Sequence, residues 1–192
     1  MKFIDKQTIE LDKELNELDK LVLRFISILK KHSNYVIVSG YISILLGRTR
    51  ATEDVDLFIK PLSKEQVKTL YEDLEKAGFW CLNTDTAVEM YDYLHENTTI
   101  RFALQGQVIP NFEVKFAQKG LSKKAFEDCI TVKTKEGNLI ISSLERQIAF
   151  KKYYLKSEKD LEDARHIEKY FKENIDFKKI EKVREEIEHE MA

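Results

Sequence analysis

The stretch VIVSGYISILLGRTRATEDVDLFI, residues 36–59, decides the fold. Together with Tyr35 it opens on a run, Tyr35-Val36-Ile37-Val38, whose β-branched residues predict a strand. Ser39-Gly40 interrupts that run, and Tyr41 to Leu46 reads as a short helix closed by Gly47 as its C-cap. A polar loop, Arg48 to Glu53, leads into a second strand, Asp54-Val55-Asp56-Leu57-Phe58-Ile59, which Pro61 ends. The period of two places the carboxylates of Asp54 and Asp56 on one face and Val55 and Leu57 on the other. Two neighbouring carboxylates repel, so the arrangement is costly unless a cation lies between them. Mg²⁺ is usually held by one or two carboxylates plus substrate phosphates. Backbone N–H groups at the Ser39-Gly40 junction can cradle a phosphate. Arg48, Arg50 and Thr52 add two cations and a hydroxyl within reach of a triphosphate. Taken singly, each piece has an ordinary explanation: a solvated strand edge, a turn, a polar loop. Their order along the chain points to nucleotide chemistry.

Upstream, residues 1–32 read as one long helix. Leu11, Leu15, Leu18, Val22, Phe25 and Leu29 recur every three or four positions, which makes a stripe packed on the core. The same spacing suits a helix–helix seam and hence a homodimer. Downstream, Ser63 starts a helix to about Lys76, capped by Gly78, and Phe79 to Leu82 is a strand. Residues 87–94 fit helix or strand equally well. Thr98–Leu104 and Val108–Phe116 form a predicted hairpin in which Phe112, Val114 and Phe116 point inward and Asn111, Glu113 and Lys115 outward. A short helix near Ser122–Asp128 and strands near Ile130–Lys133 and Leu139–Ile141 follow. From Ser142 onward the pattern is helical, with Asp176 capping the last helix. Strands first and helices last predict an α+β fold: a small mixed β-sheet with flanking helices over residues 1–141, and a C-terminal helical part, 142–192, packed on it.

Composition narrows the function. The chain has 192 residues, 32 Lys and Arg against 34 Asp and Glu, and a net charge of −2, so bulk positive charge does not draw it to nucleic acid. No apolar run approaches the ~20 residues of a membrane span, and the N-terminus lacks a signal-peptide core. Cys81 and Cys129 read as ordinary thiols of a cytoplasmic protein, and His32, His95, His166 and His189 show no zinc spacing. Tyr153-Tyr154, beside Lys151, Lys152 and Lys156, reads as a half-buried helix face or as a surface that stacks a base or tracks an RNA.

Val38-Ser39-Gly40-Tyr41, Gly47-Arg48, Arg50-Ala51-Thr52 and Asp54-Val55-Asp56 resemble the signature of the DNA polymerase β-type nucleotidyltransferase superfamily. Within it the chain is most similar to the AbiEii-like, toxin-type nucleotidyltransferases. Ser143 to Lys151 followed by Lys159-Asp160-Leu161-Glu162-Asp163-Ala164-Arg165 resembles that group's helical segment. Tyr41 departs from the pattern, occupying the second position of the usual small pair. The resemblance implies a transfer of NMP from an NTP to a hydroxyl with release of pyrophosphate, using two Mg²⁺ ions. It implies Asp54, Asp56 and a third carboxylate, here Glu113, as metal ligands and catalytic residues. Ser39, Gly40, Arg48, Arg50, Thr52 and Lys151 are the implied nucleotide contacts, while Asp160 and Asp163 read as residues that tie helices. The implied acceptor is RNA, such as a tRNA 3′ end, or a protein side chain, in a toxin–antitoxin setting with a cognate antitoxin-like partner. A catalytically inactive, antitoxin-like module that keeps the fold is the competing class.

Overall fold

The computed structural model describes residues 1–52 and 54–191; Glu53, the last residue of the polar loop, and Ala192 lie outside the described residues. The chain forms β1 (Lys2–Asp5), β2 (Thr8–Glu10), α1 (Glu17–Leu29), β3 (Tyr35–Val38), α2 (Gly40–Leu45), β4 (Asp54–Ile59), α3 (Lys64–Lys76), β5 (Phe79–Cys81), α4 (Ala87–His95), β6 (Ile100–Leu104), β7 (Asn111–Phe116), α5 (Gly120–Lys124), β8 (Ile130–Lys133), β9 (Asn138–Ile141), α6 (Leu144–Ala149), a π-helical turn (Phe150–Leu155), α7 (Glu158–Tyr170) and α8 (Phe177–Met191). The strands make one mixed sheet in the order β1-β2-β8-β9-β3-β4-β7-β6-β5. Among the described residues, no helix is long and apolar enough to cross a membrane.

Local signals set the helix ends. Asn16 and Asp19 form a reciprocal capping box that starts α1, and Ser63 and Gln66 do the same for α3, satisfying backbone donors that have no partner inside the helix. One face of the sheet is the core. Val55, Leu57 and Ile59 of β4 and Phe112, Val114 and Phe116 of β7 are buried there, and Phe25 of α1 stacks on Phe112 with centroids 4.0 Å apart and rings 2° from parallel. Burying side chains of this size contributes roughly 1.5–3 kcal/mol each.

The first 32 residues are not one helix. Residues 2–10 form β1 and β2, and β2 runs parallel to β8, pairing Thr8 with Thr131. The stripe nonetheless packs within the chain: Leu11, Leu15, Val22, Phe25 and Leu29 are buried and Leu18 is partly buried against the core, so the seam is already covered. Residues 87–94, ambiguous from sequence, are helical, with Thr86 as the N-cap accepting from the Glu89 amide.

Candidate active site

Strand register assembles the site. In the parallel pair β4–β7, Asp54 stands beside Asn111 and Asp56 beside Glu113. On the other side of β4, Asp56 pairs with Val38, the last residue of β3, so Ser39 and Gly40 follow directly beside it. Paired residues share a face, and neighbouring strands lie about 4.8 Å apart. Asp54, Asp56 and Glu113 therefore occupy the sheet face opposite the core as half-buried carboxylates.

Like charge is built into this row. Burial pushes the Asp56 carboxyl up to about 6, and the charge of Asp54 adds to it; a hydrogen bond from Ser39 pulls the other way, and Glu113 raises it further. Among the described residues neither Asp54 nor Asp56 forms an ion pair; Asp54 Oδ1 only accepts from the Thr52 hydroxyl, at 3.3 Å. Glu113 differs. Its Oε1 accepts from Arg101 Nε at 2.7 Å, and Arg101 faces it across the β6–β7 pair. Among the described residues, no three acidic, His or Cys side chains are gathered tightly enough to cage a metal on protein ligands alone. The donor set of Asp54 and Asp56, two carboxylates with unsatisfied charge and room for phosphate oxygens, fits Mg²⁺, which uses one or two carboxylates and completes its shell from substrate and water.

The turn at Ser39 is strained. Ser39 has φ 64° and ψ −139°, a conformation that favours glycine, and it directly precedes α2. The residue that needs glycine's freedom is therefore position 39, while Gly40 is needed for space: a Cβ there would lie 3.0 Å from the Arg50 guanidinium. Tyr41 does not crowd the turn. It is fully buried, and its hydroxyl donates to Asp19 Oδ1 of α1 at 2.8 Å, which anchors a helix of only six residues.

The cations that the sequence places near the triphosphate are held from behind by one carboxylate. Asp163 of α7 is fully buried and accepts from Arg48, from Arg50 and, at 2.8 Å, from Lys151 Nζ. Arg48 also binds Glu162, and Lys151 lies 3.4 Å from Asp160 Oδ1. Burial pushes the Lys151 ammonium down to about 8 against the pull of Asp160, with Arg50 and Arg48 adding to the depression. Thr52 is tied to its own loop, donating to the Asp54 carbonyl oxygen at 3.0 Å.

Lys151 lies on the π-helical turn and lines one cavity, of about 140 Å³, together with Ser39 and Asp56. The sequence predicts a regular helix here, but the wider π turn brings residues 150, 151, 154 and 155 onto the same wall. The structure thus brings Ser39, Gly40, Asp54, Asp56, Glu113, Arg50 and Lys151 to one region, with Arg48 and Thr52 as loop supports behind it. Arg101 is not among the expected site residues: a hairpin closed around residues 105–107 sets it opposite Asn111, and the longer observed connection shifts the register to Glu113.

No family model matches the chain, and no curated protein matches it in sequence. Solved structures do. The solution structure of the antibiotic-resistance factor ANT(2'')-Ia is 16% identical, with 90% of this chain and 92% of that one covered at a TM-score of 0.55. ANT(2'')-Ia in complex with adenylyl-2''-tobramycin matches at 16% identity over 90% of this chain and 98% of that one, TM-score 0.56. This is a nucleotidyltransferase fold. An antigenic nucleotidyltransferase-like protein from Paracoccidioides brasiliensis shares it, at 16% identity, 81% and 78% coverage and a TM-score of 0.51. At that identity the likeness shows the fold alone.

Proposed function

We propose that the protein is a Mg²⁺-dependent nucleotidyltransferase that moves an NMP from an NTP to an acceptor hydroxyl and releases pyrophosphate. The observation that carries the reading is the row of Asp56 and Glu113 in register on adjacent strands, with Asp54 on the same face and the Ser39-Gly40 turn beside Asp56. Asp54 and Asp56 would hold the metal, which when bound lowers the pKa of the attacking hydroxyl and neutralises charge on the triphosphate. The chain's own residues position the reactants. The backbone at the start of α2 receives phosphate oxygens, and Lys151, buried and held by Asp163, adds positive potential behind them. Asp163 fixes Arg48, Arg50 and Lys151 so that little reorganisation accompanies phosphate binding.

The acceptor we assign is a hydroxyl of RNA, such as a tRNA 3′ end, or of a protein side chain. This follows the AbiEii-like reading, with a toxin–antitoxin role, an antitoxin-like partner and a cytoplasmic setting. The Arg101–Glu113 ion pair favours a second reading, an inactive module that keeps the fold, because it neutralises the third carboxylate. Incubation with each α-³²P-labelled NTP, Mg²⁺ and total RNA or lysate decides between them. Transfer of label to a macromolecule, abolished in Asp54→Ala, supports the enzyme. Absence of label transfer from all four NTPs supports the inactive module.

A further inference from the structure

An open groove of about 510 Å³ lies between α1 and the end of β6, and the nucleotidyltransferase reading makes no use of it. Its apolar lining is Leu18 and Leu21 of α1, Leu104 of β6 and Pro110. α1 thus carries two apolar faces. Val22, Phe25 and Leu29 are buried in the core, while Leu18 and Leu21 are only partly covered. Beside the groove the β6–β7 connection displays Val108 and Ile109, which are 60% and 52% exposed. This connection is pinned. Trp80 Nε1 donates to the Gln107 carbonyl oxygen at 2.8 Å, and the Gln107 amide donates to the Leu104 carbonyl oxygen at 2.9 Å around Gly106, whose φ is 80°. Exposed apolar side chains next to an apolar groove form the kind of patch that marks a protein–protein contact. Holding them in place beforehand lowers the ordering cost of association.

The charged rim identifies the occupant. Glu17, Lys20 and Arg24 border the groove along α1. Glu17 and Arg24 are two helical turns, about 10 Å, apart on one row, with Leu21 between them. Arg24 is fixed by donating to the Ala77 carbonyl oxygen and by lying 5.3 Å over the Phe79 ring. The Glu17 side chain is 92% exposed, and its pair with Lys20 is a surface one that holds it weakly. An antiparallel copy of the same helix reverses the order of charge. It sets Glu17 opposite Arg24 of the partner subunit, and Arg24 opposite Glu17 of the partner subunit, with Leu21 near the axis. Such a row is complementary to itself, as a two-fold contact requires. A net charge of −2 adds little repulsion between copies.

We propose that this face is the two-fold interface of a homodimer. α1 packs antiparallel on α1 of a second copy, and the Val108–Ile109 tip of each chain covers the groove of the other. The surface is distinct from the core stripe of α1, which the chain covers itself. The connection carrying Val108 and Ile109 runs directly into Asn111, beside Asp54, so the interface borders the carboxylate row.

Sedimentation velocity over a dilution series from about 100 µM down to about 1 µM tests this without any nucleotide. The wild type should reach twice the chain mass of 22.6 kDa at the upper end. Leu21→Glu and, separately, Val108→Ser/Ile109→Ser alter side chains outside the buried core, so the fold should survive, and circular dichroism checks that it does. Each should raise the dimer dissociation constant about ten-fold or more. Glu17→Arg sets like charge against Arg24 of the partner subunit; it should weaken the dimer at low salt and less so at high salt. A wild type that stays monomeric throughout overturns the proposal, whether or not another protein proves to occupy the groove. A dimer whose affinity survives both Leu21→Glu and Val108→Ser/Ile109→Ser overturns it as well, because association then uses another surface. A dimer indifferent to Glu17→Arg overturns the antiparallel arrangement of α1.

Discussion

The two sides of the site treat charge in opposite ways. On the sheet, Asp54 and Asp56 share a face without an ion pair among the described residues, Lys115 and Arg50 acting on them only at a distance, and Asp56 has its carboxyl pushed up to about 6. On the helices, Arg48, Arg50 and Lys151 converge on the single buried carboxylate of Asp163. The helical side is finished before any ligand arrives; the sheet side is not. A structural ion cluster is satisfied within the chain, whereas a site for a metal and a triphosphate must leave charge unsatisfied where the ligand will sit. The comparison therefore separates residues that build the site from residues that await a ligand.

The largest effect on stability should come from the finished side. Asp163→Ala removes the carboxylate shared by Arg48, Arg50 and Lys151 and leaves, among the described residues, only Glu162 and Asp160 to partner Arg48 and Lys151, and removing one partner of a buried ion cluster costs about 3–5 kcal/mol. Thermal melts should show Tm falling by roughly 10 °C for a chain of this size. A variant that melts within a degree or two of the wild type would show that Asp163 is not the structural hub.

The unfinished side should respond with the opposite sign. The folded-state pKa of Asp56 is raised above its ordinary value of 3.8, so between about pH 4 and 6 the folded chain binds more protons than the unfolded chain. The cost of the charged carboxylate is then absent below pH 4 and fully present above pH 6. Asp56→Asn should accordingly stabilise the metal-free protein more at pH 7 than at pH 4, as chemical denaturation at the two pH values would measure. Equal effects at both would show that burial and the neighbouring Asp54 do not raise the cost of the charged carboxylate. Protons should also compete with Mg²⁺ here, so Mg²⁺-dependent NTP binding should weaken as the pH falls below about 6.

The carboxylate row was readable because alternation in a strand is local: Asp54-Val55-Asp56-Leu57 and Phe112-Glu113-Val114 give their faces without knowledge of what they pair with. Capping signals were equally local, as Ser63 shows. What the sequence hid was long-range or conformational. β2 pairs with β8, more than 120 positions along the chain, and a helix-like stripe beginning at Leu11 masked the short strands before it. The partners of Asp163 lie 115, 113 and 12 positions away, so its residue type announced a helix tie but not which three cations it would gather. Gly40 drew attention as the phosphate turn, while the left-handed backbone falls on Ser39, a residue that gives no local hint of it. The π-helical turn at residues 150–155 leaves no periodic trace in so short a segment.

A smaller effect sharpens the role of Glu113. Its ion pair with Arg101 involves a side chain 47% exposed, and such pairs contribute about 0–1 kcal/mol. Arg101→Ala should leave Tm nearly unchanged and free Glu113 to join the metal site, so Mg²⁺ affinity in the presence of NTP should rise. A fall in Mg²⁺ affinity would place Arg101 on the nucleotide instead, and Glu113 outside the metal set.

The most direct measurement of the central claim is calorimetric titration of NTP, with and without Mg²⁺, into the wild type and into Asp54→Ala. Asp54 sits beside like charge and has no ion pair among the described residues, so the variant should fold as well as the wild type. The account predicts NTP binding that requires Mg²⁺ in the wild type and disappears in Asp54→Ala at unchanged Tm. Mg²⁺-dependent NTP affinity that persists undiminished in the folded variant would contradict it.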